Sequence, residues 1–311
     1  MSTCATSSID LAEPLAGTAA TARTWLLIEQ PGPWGAKALT SSHLDPAVGR
    51  ALETAAAGTG VRVALVRRPG RHADSPAPAR RQVYVAHTVP GDTWLRGATV
   101  ETPEELLRLD FAALGAGEHG GFGAPYEGAP LALVCTNGKR DRCCALLGRP
   151  LASELAHSVD GVWEITHLGG HRFSPTLLVL PYGYAYGRAT AAKVKEILEA
   201  VRAGRIMTEG CRGNSAWDRP GQAAELAVRQ AADEHGAGTL TVVRTESVTR
   251  SQVPDVPHWD VTVAHTDGRR WRVTVAQGTS LPPRPESCGA ALGSPARMEV
   301  MAVREVPAAL G

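Results

Sequence analysis

Long apolar runs are missing from these 311 residues: nowhere do about eighteen hydrophobic residues follow one another, as a membrane helix requires. A surplus of charge is missing too. Lys+Arg total 32 and Asp+Glu 31, a formal net charge of +1, so no overall field draws the chain to nucleic acid or an anionic membrane. Six cysteines are too few for a disulfide scaffold. The opening MSTCATSSID has neither basic residues nor an apolar core, which argues against a secretory signal and for a cytoplasmic location with reduced thiols. No G-x-G-x-x-G follows a strand pattern, and neither a Walker sequence nor G-x-S-x-G occurs, so nucleotide-binding and serine-hydrolase readings lack support.

What the chain does have is 33 Gly and 22 Pro, a composition rich in turns, laid over alternating strand and helix patterns. Residues 1–22 are weakly patterned and read as a flexible N-terminus. TWLLIEQ, VRVALVRR, RQVYVAHT and TWLRGATV read as strands, with a helix at 45–57 and an exposed Pro/Ala/Arg loop at 70–81. Thr102, Pro103 and Glu105 form a capping-box pattern that predicts a helix over 103–114. After a Gly-rich linker at 115–128, the chain to residue 205 gives the order β-α-β-β-α, as in half of a thioredoxin-like domain. Residues 206–311 read as a smaller α+β extension whose Asp267-Gly268 marks a hairpin and whose helix presents Ala224, Ala227, Val228 and Ala231. No sequence repeat is visible.

The chemistry concentrates in two places. Cys135, Cys143 and Cys144 fall within ten residues, in CTNGKRDRCC, and two imidazoles follow in HLGGH as His167 and His171. Gly169 and Gly170 between the histidines oppose a helix, which puts both imidazoles on a tight loop. H-E-x-x-H chemistry is excluded because Leu168 and Gly169 follow His167. Zinc-finger spacing fails, with eight residues between Cys135 and Cys144 and twenty-two more before His167. Rieske order fails because both cysteines precede both histidines. Soft-to-borderline donors in this number suit a [2Fe–2S] cluster or a zinc ion. A thiol–disulfide oxidoreductase using Cys135 with Cys143 or Cys144 is the alternative, although C-x-x-C spacing is lacking.

CTNGKRDRCC followed by WEITHLGGHRFSPTLLVLPYGYAYGR resembles the sucrase/ferredoxin-like family, some of whose members carry a bis-histidinyl, non-Rieske [2Fe–2S] cluster. The likeness spans residues 23–205, including WLLIEQPGPWG, and 206–311 looks like the extension of bacterial members. The resemblance implies two tandem thioredoxin-like halves, at 23–116 and 117–205, with the cluster in the second. It implies Cys135 and Cys144 on one iron and His167 and His171 on the other. Cys143 stays open as an alternative to Cys144. An electron carrier working with a redox partner protein, rather than an enzyme, is then the expected role. Lys139, Arg140, Arg142 and Arg172 crowd the ligand loops and would favour the reduced cluster or receive an acidic partner. Imidazole ligands imply a pH-dependent potential. Tyr182, Tyr184 and Tyr186 alternate onto one face of an extended segment. Cys4, Cys211 and Cys288 are isolated in sequence, although the Gly-containing contexts CRGN and SCGA would let Cys211 and Cys288 meet.

Overall fold

A computed structural model describes residues 3–70, 80–249 and 256–307. Most of the loop expected at 70–81 therefore lies outside the described residues. The chain opens with α1 (Cys4–Asp10), β1 (Thr24–Glu29), α2 (Pro46–Ala56), β2 (Val61–Arg67), β3 (Arg81–His87) and β4 (Trp94–Val100). A 3₁₀ turn (Pro103–Arg108), α3 (Phe111–Ala116) and a short β5 (Ala124–Pro125) follow. Next come β6 (Leu131–Cys135), a π turn (Cys144–Gly148), α4 (Arg149–Ala156), β7 (Val162–Ile165), β8 (Leu177–Leu180), β9 (Tyr184–Tyr186) and α5 (Ala191–Arg202). The remainder is β10 (Cys211–Asn214), α6 (Arg219–Ala232), β11 (Leu240–Val248), β12 (His258–His265), β13 (Arg270–Thr279), β14 (Arg284–Pro285), β15 (Leu292–Gly293) and β16 (Ala296–Val306).

The first ten strands make one mixed sheet in the order β10-β9-β8-β6-β7-β2-β1-β3-β4-β5. Its two halves repeat each other. β1 pairs parallel with β2 and antiparallel with β3, which pairs antiparallel with β4; β6, β7, β8 and β9 stand in the same relations. The halves meet where β2 and β7 pair antiparallel, Val66 opposite Ile165 and Arg67 opposite Glu164. At that seam the buried Arg67 guanidinium contacts Glu164 at 2.7 Å and lies 3.9 Å over Trp34. No sequence repeat announces this topological one, because strand order depends on which faces are apolar rather than on residue identity.

Alternation along the strands sorts the core. Leu26 and Ile28 face the layer of α2 and α3, whereas Trp25 and Leu27 face the opposite side of the sheet. In β6, Ala132 and Val134 face α4 and α5, while Leu131, Leu133 and Cys135 join the side that holds Trp25 and Trp163. That shared side is covered by irregular chain, with Ala19 and Ala22 buried in it. Residues 4–10 of the segment expected to be flexible form α1, with Cys4, Ala5 and Ser8 buried.

Two expected helices are corrected. The helix predicted over 103–114 is a 3₁₀ turn and a separate short helix, because Asp110 accepts from Ala113 N at 3.0 Å and starts a new N-cap. The capping interaction survives, as Thr102 N donates to Glu105 at 2.8 Å. α6 does not present the apolar face expected of it: Ala227 is half-exposed and Ala231 exposed. It is instead packed on two sides, Leu226 against the large sheet and Ala223, Ala224 and Val228 against the four-stranded sheet β11-β12-β13-β16. Between them Glu225 and Arg229 pair in full burial, both bonded to the Tyr184 hydroxyl. The Asp267-Gly268 hairpin joins β12 to β13 as expected, with Gly268 at φ +98°. β10 completes the large sheet rather than joining the extension.

Candidate metal centre

The site grows out of the end of β6. Strand alternation turns Cys135 to the shared face, and the chain then leaves the sheet at Thr136, whose hydroxyl donates to Glu164 at 2.8 Å. Asn137 starts a tight turn: its carbonyl accepts from Arg140 N and Asp141 N, each at 3.2 Å. The π turn brings the chain back so closely that a Cβ on Gly148 would collide with the carbonyl of Cys135. This approach lays Cys144, wholly buried, beside Cys135. The expected helix behind the cysteines is thus a π turn running into α4, and π turns of this kind recur at functional sites.

The histidine loop is the tight turn its glycines predict. Gly169 and Gly170 have φ of +79° and +66°, the left-handed region, and a Cβ on Gly170 would strike the Arg212 guanidinium. Arg212, fully buried, donates to the Gly169 carbonyl at 3.0 Å and also to the Thr18 carbonyl. Arg62 donates to the carbonyl of His167 at 2.9 Å. Leu168 is buried, and His171 begins a 3₁₀ turn.

Together these loops bring the sulfurs of Cys135 and Cys144 and a ring nitrogen of His167 within 4.8 Å of one another. His171 adjoins them: its ring lies 5.2 Å from that of His167, and its Nε2 is 3.5 Å from an oxygen of buried Asp141. The Nδ1 atoms of both histidines are buried without a hydrogen-bond partner. Cys144 donates a hydrogen bond that holds the Cys135 thiol well below its usual range against the opposing effect of burial, and His167 helps. The same interaction, with burial, pushes Cys144 up. Burial lowers the pKa of His171 more than Asp141 raises it.

Cys143 points elsewhere. Its sulfur lies 3.5 Å from that of Cys4 and 3.1 Å from that of Cys288. Cys211 does not meet Cys288. It is buried in β10, where burial raises its thiol to about 12. Tyr184 and Tyr186 are buried in one core cluster, with Tyr182 packed against it. Lys139, Arg140 and Arg142 are exposed around the cysteine loop, whereas Arg172 is held at 2.8 Å by Glu13. Sequence reasoning missed Arg62, Arg212 and Asp141. Only Asp141, inside the cysteine loop, carried a signal by position.

No helix of the described residues is long and apolar enough to cross a membrane. No curated protein and no solved structure matches the chain. A family model described as sucrase/ferredoxin-like matches residues 15–213, which takes in the large sheet and both loops of the site. The chain belongs to the sucrase/ferredoxin-like family.

Proposed function

We propose that this protein is a one-electron carrier or redox sensor holding a [2Fe–2S] cluster on Cys135, Cys144, His167 and His171, within the second of two tandem thioredoxin-like halves. The observation that carries this reading is a pair of buried, orphaned imidazole nitrogens: Nδ1 of His167, whose ring is grouped with two thiols, and Nδ1 of His171 in the adjoining ring. A buried polar atom without a partner costs free energy unless something binds it, and a metal centre of mixed sulfur and nitrogen ligation does so. Such a cluster supplies a one-electron couple, raised in potential relative to an all-cysteine ferredoxin because neutral imidazoles replace thiolates.

The chain's own residues set the conditions. Arg62 and Arg212 hold the carbonyls of His167 and Gly169, which braces the backbone of the histidine turn. Asp141 faces Nε2 of His171, so a proton on that nitrogen has an acceptor and can leave when positive charge grows at the ring. Exposed Lys139, Arg140 and Arg142 offer a basic rim to an acidic redox partner. The cytoplasm, where thiols stay reduced, is the compartment that suits this site.

The test is a visible spectrum of protein purified without oxygen, with iron and sulfide measured on the same sample. About two irons and two sulfides per chain, with absorption that bleaches on dithionite, support the reading. A colourless protein with neither, even after cluster reconstitution, would leave the thiol oxidoreductase in its place. Exchanging His171 for Cys should then keep the colour and flatten the dependence of the potential on pH.

A further inference from the structure

The three cysteines that the proposed centre does not use, apart from Cys211, converge on a second point. Cys4 opens α1, Cys143 precedes the π turn, and Cys288 lies in the segment between β14 and β15. Their sulfurs are 3.5, 3.5 and 3.1 Å apart, and a carboxylate oxygen of Asp141 completes a group whose ligand atoms all lie within 4.8 Å of one another. Cys4, Asp141 and Cys143 are buried and Cys288 half-buried.

We propose that these four residues form a second metal site, separate from the iron–sulfur centre, that binds a zinc ion through three thiolates and one carboxylate oxygen. Tetrahedral zinc with bonds of about 2.3 Å to sulfur places its sulfurs roughly 3.8 Å apart, close to the spacing here. A disulfide, at about 2.05 Å, joins two sulfurs and would leave the third unpaired. Asp141 also orients the site. One of its oxygens accepts from Cys143 N at 2.8 Å and the other from Cys288 N at 2.9 Å, which aims both cysteines inward. The second of these, Oδ2, also faces Nε2 of His171 at 3.5 Å, so Oδ1 is the oxygen that keeps a lone pair for a cation. Three thiols of soft character with one hard oxygen favour zinc over calcium, magnesium or manganese.

The placement gives the site its work. Residues 4, 143 and 288 belong to the N-terminal segment, the cysteine loop and the C-terminal extension, so one ion pins all three. Salt bridges flank the junction: Glu13 meets Arg172 at 2.8 Å and Arg284 at 3.7 Å, and Arg172 reaches Glu286 at 3.9 Å.

The test is metal analysis of the full chain, purified without oxygen from cells supplied with zinc, for wild type and Cys288→Ser. Wild type should retain one zinc per chain beyond its iron, and C288S should lose that zinc while iron and the visible spectrum stay unchanged. Equal zinc in both proteins would overturn the proposal. So would a disulfide among Cys4, Cys143 and Cys288 in non-reduced peptide maps of wild type. X-ray absorption at the zinc edge, on wild type alone, decides the matter without a variant. Three sulfur neighbours and one oxygen are expected; two sulfurs and two nitrogens would put the zinc on the histidine site and overturn the second one.

Discussion

Cys143 and Cys144 are adjacent in the chain yet serve different groups of thiols, and the contrast between those groups separates local from global assembly. Cys135, Cys144 and His167 come from two loops at the ends of neighbouring parallel strands, β6 and β7. Cys4 and Cys288 come from opposite ends of the chain and meet mid-chain Cys143 only when α1 and the β14 segment dock. The first group is built within the large sheet and its loops; the second also needs the C-terminal extension in place. Asp141 is the residue common to both, facing His171 on one side and the cysteine backbones on the other.

The sharpest way to break the contrast is Asp141→Ala, which leaves two backbone N–H groups without their acceptor and removes the partner of His171. Both metals should fall together in elemental analysis, unlike any single cysteine change. A smaller effect separates the two glycines of the histidine turn. Gly170→Ala combines left-handed strain with a clash against Arg212 and should destabilise by about 2 kcal/mol or more. Gly169→Ala meets nothing within 4 Å and should cost about 1 kcal/mol, from strain alone. Urea unfolding of both variants gives the difference. Arg62→Met, which strips the donor from the carbonyl of His167, should cost about 1–2 kcal/mol and weaken iron retention without touching zinc.

The histidine turn was legible in sequence because its constraint is local: two glycines between two histidines permit few backbones. So were β6, β7 and β8, whose apolar runs are buried on both faces. The second thiol group was not, since nothing in sequence spacing couples residue 4 to residue 288. The same limit hid Arg212, which reaches the Gly169 carbonyl from forty-three positions away. α6 misled for a related reason: a helix held between two sheets needs no single apolar stripe, and its polar Glu225 and Arg229 are satisfied by each other and by Tyr184.

The smallest predicted effect is a control lying outside both groups. His87 is buried in β3 near Asp92 and Arg23, and burial lowers it from its ordinary value of 6.5. The unfolded chain therefore takes up this proton more readily than the folded one. Stability is fully present above pH 6.5 and is lost as pH falls through the lowered folded value. His87→Gln should flatten that loss in thermal melts across this range while leaving iron and zinc at wild-type levels.

The most direct measurement is elemental analysis of Cys143→Ser and Cys144→Ser prepared side by side. The account predicts opposite outcomes for neighbouring residues: C144S loses iron and its visible colour but keeps zinc, and C143S loses zinc but keeps iron. Loss of the same metal in both variants would contradict it.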